Sequence, residues 1–283
     1  MAKTFQIGTT LYSFQLEYLT CRWSFEDCME LAAQTGGDRG VEIVGVMDHR
    51  CWPGLSREFE RVFKSSVARW QLIPTHYDAY ADMTVYPNLD DRFQFHVTQL
   101  ETAKRLGFPL VRIQSPGADP IVEKLTRVAE KMKLKLAIEI HTPLMFENPE
   151  CQALIEMVKK VSSESLGLLP DCSIFEDMAG VRQAQGTVAG AGQKTEYPPS
   201  DPAKLAGIMP LIMGIHGKFH RVVNGEIPEV PFAKIAKVLT EGGFKGWMST
   251  EFEGGVLGDY PNSFEVVKAH HALMKRLLAQ SAA

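Results

Sequence analysis

Four residues constrain this chain more than any others. Glu139, Asp171, His216 and Glu251 each close a short apolar run: Leu136-Ala137-Ile138-Glu139, Gly167-Leu168-Leu169-Pro170-Asp171, Leu211-Ile212-Met213-Gly214-Ile215-His216 and Trp247-Met248-Ser249-Thr250-Glu251. The steps between them are 32, 45 and 35 residues. A parallel α/β barrel of about 250 residues spends about 31 on each strand–helix unit. The spacing therefore predicts four successive barrel strands whose last residues point into one mouth.

The rest of the chain fits that frame. At 283 residues it has the length of a single α/β domain, a (β/α)8 TIM barrel of parallel strands over residues 1–283. Strand-like runs at Phe5–Thr10, Val41–Val44, Leu72–His76, Leu110–Gln114, Leu134–Ile140, Gly167–Pro170, Leu211–Ile215 and Trp247–Glu251 alternate with helix-like ones. The predicted helices are Ser24–Gln34, Ser56–Gln71, Asp90–Leu106, Asp119–Met132, Pro149–Ser162, Pro202–Ile208, Pro231–Gly242 and Asn262–Ala279. Ser24 is an N-cap candidate with Asp27 in the capping-box position, and Asp201 caps a helix that opens on Pro202. No GxGxxG opens any helix, which argues against a dinucleotide site. One segment breaks the rhythm: a Gly- and Pro-rich insertion at about residues 178–200, read either as a disordered or decorative loop or as a lid or partner-contact loop after the Asp171 strand.

Composition excludes several classes. A net charge of −4 gives no footprint for nucleic acid or an anionic membrane. No run of 18 apolar residues is present, so no membrane-spanning helix is expected. The N-terminal residues enter a strand directly and lack the apolar core of a signal peptide. Cys21, Cys28, Cys51, Cys151 and Cys172 form no CxxC pair and read as reduced thiols, so a cytoplasmic protein is expected.

Carboxylate oxygen suits hard divalent ions, and one imidazole shifts the preference toward Mn²⁺, Co²⁺ or Zn²⁺. Glu139, Asp171, His216 and Glu251 are thus predicted metal ligands. Mn²⁺ leads, with Mg²⁺, Co²⁺ and Zn²⁺ as alternatives. Four protein ligands on an octahedral ion leave two positions for a chelating hydroxy-ketone. Strand alternation puts residues i and i+2 on one face. His141 therefore shares the face of Glu139 and is the first candidate for general base, with a role in orienting Glu139 as the alternative. By the same rule Lys218 follows His216, placed to stabilise an enolate oxygen or donate to a substrate hydroxyl. His220 lies one step further and could compete with His216 as a ligand, but His216, which ends the apolar run, is preferred and His220 is read as substrate-binding. His76 and Gln114 are expected to face the mouth and bind substrate hydroxyls. Glu42 and Arg112 are read as a buried ion pair with each other. Tyr12, Trp23 and Trp52 are either an apolar wall for a sugar or ordinary core. His270 and His271 are expected on the surface, and Cys172 is expected to point away from the mouth. No local nucleophile motif such as GxSxG is present.

Glu139-Ile140-His141, Pro170-Asp171, Ile215-His216-Gly217-Lys218 and Ser249-Thr250-Glu251-Phe252-Glu253-Gly254 resemble the sugar phosphate isomerase/epimerase superfamily of xylose-isomerase-like barrels, over nearly the whole length. That resemblance implies Mn²⁺ or a similar ion on the Glu, Asp, His and Glu, and proton transfer on keto sugars through an enediolate. The His-Gly-Lys-Phe and Glu-Phe-Glu-Gly pieces, with Val267-Lys268-Ala269-His270-His271, are similar to the catalytic α subunit of C-glycoside deglycosidases. This narrower resemblance implies action on 3-keto glycosides and a hetero-oligomer with a small β-rich partner subunit. Two departures stand out: the long Gly-rich segment after Asp171, and His220 where that group carries an aromatic residue.

Three readings follow. The leading one is a metal-dependent carbon–carbon lyase cleaving 3-keto C-glycosides, with Glu139, His141, Lys218 and Glu251 as its catalytic residues. The second is a free-standing keto-sugar isomerase or epimerase. The third is a non-catalytic sugar- or partner-binding subunit, against which the four converging ligands argue.

Overall fold

The computed structural model describes residues 5–80, 85–114, 120–177, 198–254 and 262–281. Eight parallel strands form one sheet: β1 (Gln6–Thr10), β2 (Gly40–Val44), β3 (Ile73–Ala79), β4 (Leu110–Ile113), β5 (Lys135–Ile140), β6 (Leu166–Pro170), β7 (Gly214–Phe219) and β8 (Trp247–Phe252). The strand order is β6-β5-β4-β3-β2-β1-β8-β7. Two bridges, Leu168↔Ile212 and Asp171↔His216, draw β6 and β7 together and nearly close the barrel. The second bridge brings two predicted metal ligands side by side.

Alternation divides each strand between two environments. Ile138, Ile140, Ile215, Phe219, Met248 and Phe252 face outward and join the large core under the helices. Leu110, Ala137 and Leu169, with Met213 packed on them, form a separate apolar layer inside the barrel. Two residues further along β4 and β5 are Arg112 and Glu139, and Asp171 follows Leu169 by the same step. The barrel interior therefore changes from apolar to charged toward the C-terminal ends of the strands, where this fold builds its active sites. Gly40 and Gly214 make room in that interior. A Cβ on Gly40 would meet the Trp247 ring at 2.5 Å, and one on Gly214 would meet His76 Nε2 at 2.7 Å.

The helices begin where their caps direct. Ser24 accepts from the Asp27 amide while Asp27 accepts from the Ser24 amide, so the expected capping box starts the helix at Phe25. Ser56 caps Arg57–Trp70, Asn88 caps Leu89–Leu106, and Asp201 caps a 3-10 turn over Pro202–Lys204 that continues into Leu205–Ile208.

Several boundaries differ from the sequence reading. Strand β7 starts three residues later than predicted and runs to Phe219, because Met209–Leu211, with Pro210 inside, form a 3-10 turn instead of strand. His216 and Lys218 thus both lie within the strand. Strand β3 extends to Ala79 and takes in Asp78. The predicted Asp119–Met132 helix is found as Val122–Met132, with Asp119 outside the described residues. Most of the 178–200 insertion also lies outside them; only Pro198, Pro199 and Ser200 are described.

His270 and His271 are not on the surface; both are buried in the helix Ser263–Ser281. His270 stacks on Phe219 at 4.8 Å and meets Thr250 Oγ1 at 2.8 Å, while His271 Nε2 donates to the Gly8 carbonyl at 3.1 Å. They are the polar contacts by which the last helix grips β8 and β1. Burial holds both imidazoles below their ordinary range, His271 at about 4. Among the described residues no helix is long and apolar enough to cross a membrane.

Candidate active site and metal centre

His216 stands at the centre of the charged layer. Its Nδ1 lies 3.0 Å from Glu139 Oε1, 3.1 Å from Glu251 Oε2 and 3.6 Å from Asp171 Oδ2. All four side chains are buried or nearly so. The ligand atoms of Glu139, Asp171 and His216 fall within 4.8 Å of one another, the spacing of a metal-binding group. Asp171 is held by its own turn, where Oδ1 accepts from the Ser173 amide at 2.6 Å. Its other oxygen, Asp171 Oδ2, and Glu139 Oε2 are buried without a hydrogen-bond donor in line. Three carboxylates gathered in a water-poor interior need positive charge to offset their repulsion and desolvation. That donor set fits a divalent cation, and among the described residues the sequence-predicted four do converge.

The electrostatics agree. Burial alone would lower the His216 pKa, but Glu42, Glu251, Asp171 and Glu139 outweigh it and hold it well above the imidazole range. Burial raises the Glu251 carboxyl, and Asp171 and Glu253 add to that rise against Lys218 and His216. For Glu139, burial is outweighed by Arg112 and His216, so its carboxyl is lowered.

A cavity of about 290 Å³ opens over this cluster. Its lining includes Glu139 and Glu251 from the cluster, and Arg112, Gln114, His141 and Lys218 around it. That is the small end of the range for small-molecule sites, about 300–1,000 Å³. A larger hollow of about 1100 Å³ lies at the opposite end of the barrel, against Lys135, Leu166, Met213 and Gly246. It gathers no acid–imidazole set, and in this fold that end serves stability.

His141 and Lys218 meet as the alternation rule predicts. His141 Nδ1 donates to the Thr142 carbonyl, which leaves the Nε2 lone pair facing Lys218 Nζ at 2.9 Å. Lys218 also reaches Glu251 Oε1 at 3.3 Å and Glu253 Oε2 at 2.9 Å. Burial opposes its charge, but Glu251, Asp171 and Glu253 hold its pKa well above the usual lysine range. Lys218 is therefore a fixed ammonium donor, and His141 Nε2 is the acceptor in this pair.

Other candidates sit elsewhere. His220 is committed to Glu176 Oε1 at 2.7 Å and faces Glu253 Oε2 at 3.4 Å. Burial works against its charge, yet Glu176 and Glu253 lift it to about 9, and both ring nitrogens are engaged with carboxylates outside the group of Glu139, Asp171 and His216. It does not line the cavity. His76 is also away from the cavity, buried with Nδ1 on Glu42 Oε2 at 2.7 Å. Gln114 does line it. Glu42 and Arg112 do not pair with each other as expected. Arg112 reaches across to Asp78 at 2.9 Å and Glu139 at 3.3 Å, while Glu42 faces His76 and His216. The register explains this: Arg112 is aligned with Asp78 and Ala137, next to Glu139, whereas Glu42 sits a strand further round.

Of the aromatic candidates only Tyr12 lines the cavity, donating to Glu253 Oε1 at 3.2 Å. Trp23 packs on Phe14, and Trp52 donates to Gln99. Cys172 is buried, with its thiol raised well above its ordinary range by burial and Asp171. Glu253 and Glu42 were not read as site residues in the sequence. The i+2 step from Glu251 gives Glu253; Glu42 has no such local signal.

No family model matches the chain. It is similar over nearly its whole length to proteins named as enzyme subunits. With the 3'-dehydrocarminate deglycosidase alpha subunit of a Microbacterium species it shares 28% identity over 333 aligned positions, spanning 97% of this chain and 96% of that protein. With a C-glycoside deglycosidase alpha subunit of Arthrobacter globiformis it shares 26%, spanning 98% and 93%. Among solved structures, a sugar phosphate isomerase/epimerase from Parabacteroides distasonis superposes with a TM-score of 0.69 at 16% identity, covering 100% of this chain and 97% of that one. A D-psicose 3-epimerase from Clostridium cellulolyticum superposes with a TM-score of 0.68 at 14% identity, covering 97% and 99%. The chain thus resembles C-glycoside deglycosidase alpha subunits in sequence and carries the barrel fold of the xylose-isomerase-like sugar phosphate isomerases and epimerases.

Proposed function

We propose that this protein is the catalytic subunit of a metal-dependent lyase that cleaves 3-keto C-glycosides. The observation that carries the reading is the convergence of Glu139, Asp171 and Glu251 on His216 Nδ1, beside a cavity that also receives His141 and Lys218. Similarity to deglycosidase alpha subunits across almost the full chain supports the substrate class. Glu139, Asp171, His216 and Glu251 would hold the ion, with Mn²⁺ favoured by three carboxylates and one imidazole. Lewis-acid polarisation of the C3 ketone is the chemistry a divalent ion supplies there.

The chain's own groups supply the rest. A ketone at C3 acidifies the hydrogen on C2. His141 Nε2, with its proton fixed on Nδ1 by Thr142, takes that hydrogen as a proton. The C–H electron pair becomes the enolate, whose charge Lys218 offsets through its ammonium. As the C3 carbonyl re-forms, C1=C2 forms and the bond from C1 to the aglycone breaks. The departing aryl carbon takes up the solvent-exchangeable proton held on His141 Nε2, so an electron-rich phenol is a competent leaving group. Arg112 keeps Glu139 ionised and in place.

The name shared by the relatives, alpha subunit, supports a hetero-oligomer, and we propose a small β-rich partner. A second reading, keto-sugar isomerase or epimerase, uses the same proton transfer without a leaving group and is supported by the fold neighbours. The test is turnover of a 3-keto C-glycoside by the protein with and without Mn²⁺, alone and with candidate partner subunits, followed by chromatography. The reading expects metal-dependent aglycone release. Metal-dependent formation of a new keto sugar with no release would replace it with the isomerase.

A further inference from the structure

The side of His216 turned away from the cavity carries an arrangement that the proposed chemistry leaves unused. Its Nε2 lies 3.0 Å from Glu42 Oε1, and both residues are wholly buried. Neither atom has another hydrogen-bond partner, and the N–H is not yet in line with the oxygen. The second oxygen of Glu42 is fixed: Oε2 accepts from His76 Nδ1 at 2.7 Å. That nitrogen also lies 3.2 Å from Ser249 Oγ on β8, the residue aligned with His216 in the β7–β8 pairing. Gly214 gives the His76 ring its space. Strands β2, β3, β7 and β8 thus contribute one buried chain running Ser249–His76–Glu42–His216.

An imidazole that ligates a cation through Nδ1 must keep its proton on Nε2, and a buried N–H needs an acceptor. Carboxylates in this position fix ring orientation and tautomer and raise ligand basicity. We infer that Glu42, braced by His76, is the positioning residue of the cation site: it accepts a hydrogen bond from His216 Nε2–H and so presents Nδ1 to Glu139, Asp171 and Glu251. This rests on the metal reading above. Glu42 touches no substrate, because it lies behind His216 and does not line the cavity. A small turn of the His216 ring aligns Nε2–H with Glu42 Oε1, and cation binding at Nδ1 supplies the reason for that turn.

The experiment measures the Mn²⁺ dissociation constant of the intact chain by electron paramagnetic resonance of the free ion, for wild type, Glu42→Ala, Glu42→Gln and Glu139→Gln. Loss of a carboxylate behind a ligating histidine typically costs about 10–100-fold in affinity. Glu42→Ala is expected to weaken binding by that factor. Glu42→Gln, which keeps an acceptor oxygen, recovers most of it. A histidine-selective ¹⁵N NMR spectrum of the Mg²⁺- or Zn²⁺-loaded wild type is expected to show His216 protonated on Nε2 alone. Where Glu42→Ala fails to fold, the Nε2–H proton of the loaded wild type is the readout: a strongly downfield, slowly exchanging signal is expected from its hydrogen bond to Glu42, and an ordinary, fast-exchanging one would overturn the inference.

Unchanged affinity in Glu42→Ala, beside a large loss in Glu139→Gln, would overturn the positioning role and leave the metal reading standing. No loss in Glu139→Gln would overturn both. Equal weakening in Glu42→Ala and Glu42→Gln would leave Glu42 a source of charge only and overturn the inference. So would a loaded His216 protonated on Nδ1.

Discussion

At the scale of single residues, one imidazole organises the site. His216 presents one nitrogen to three carboxylates and the other to a fourth, so each acid near it has a distinct task. Replacing Glu251 by Gln removes one negative charge from the set and from one of the two carboxylates that face Lys218. The account expects at least about a 100-fold loss of turnover, together with weaker Mn²⁺ binding by equilibrium dialysis. Full activity with normal metal content would refute the site. His141→Ala is expected to keep metal affinity within about twofold but to lose about 10²–10⁴ in turnover, the range of one general base. The check is metal content beside the kinetic isotope effect at C2.

Much of this was legible in the sequence, because alternation along a strand is a local rule. From Glu139 it reaches His141, and from His216 it reaches Lys218, and the two pairs meet at 2.9 Å between His141 and Lys218. Glu42 shows where that rule stops. Its place in the short strand Gly-Val-Glu-Ile-Val says that it is buried, but its partners come from across the barrel and depend on how the sheet closes. The assumed Glu42–Arg112 pair failed for the same reason. His76 has the inward parity expected of it, yet Glu42 holds it in the packed interior, away from the cavity.

Elements show the same split between local and closure-dependent information. The caps at Ser24 and Asp201 were readable because a cap is a contact over two or three residues. The start of β7 was not, since the apolar run from Leu211 hides a 3-10 turn around Pro210. The last helix is the clearest case. Two adjacent histidines look like surface residues, but they share the helix's buried face with Val267 and Met274, and both rings are enclosed.

This makes a pH prediction. The folded pKa of His271 is about 4, against 6.5 for the free group. Between these values the unfolded chain binds a proton that the folded chain refuses, so its contribution is present above about pH 6.5 and falls as pH drops toward 4. A shift of that size corresponds to at most about 3 kcal/mol. Urea denaturation at pH 7.5 and 4.5 should therefore show a smaller acid loss in His271→Gln than in wild type. An identical loss would place the acid sensitivity elsewhere.

For the whole molecule, the barrel brings the proposed ligands from β5, β7 and β8, and Asp171 from just beyond β6, to one point, so metal binding there would be coupled to folding. An ion bound only by the folded chain stabilises it by about 2.7 kcal/mol at 100 times its dissociation constant. Several degrees of melting temperature should accordingly be gained with saturating Mn²⁺ and lost with chelator, as read by calorimetry. A Glu139→Gln protein should show little of this response.

The most direct test of the central claim follows a 3-keto C-glycoside with the Mg²⁺-loaded protein and candidate partner subunit by NMR in D₂O. Free aglycone is expected, carrying deuterium at the carbon that was bonded to the sugar, with loss of both signals in His141→Ala. Intact glycoside with deuterium at C2, or a rearranged keto sugar with no aglycone released, would contradict the lyase assignment.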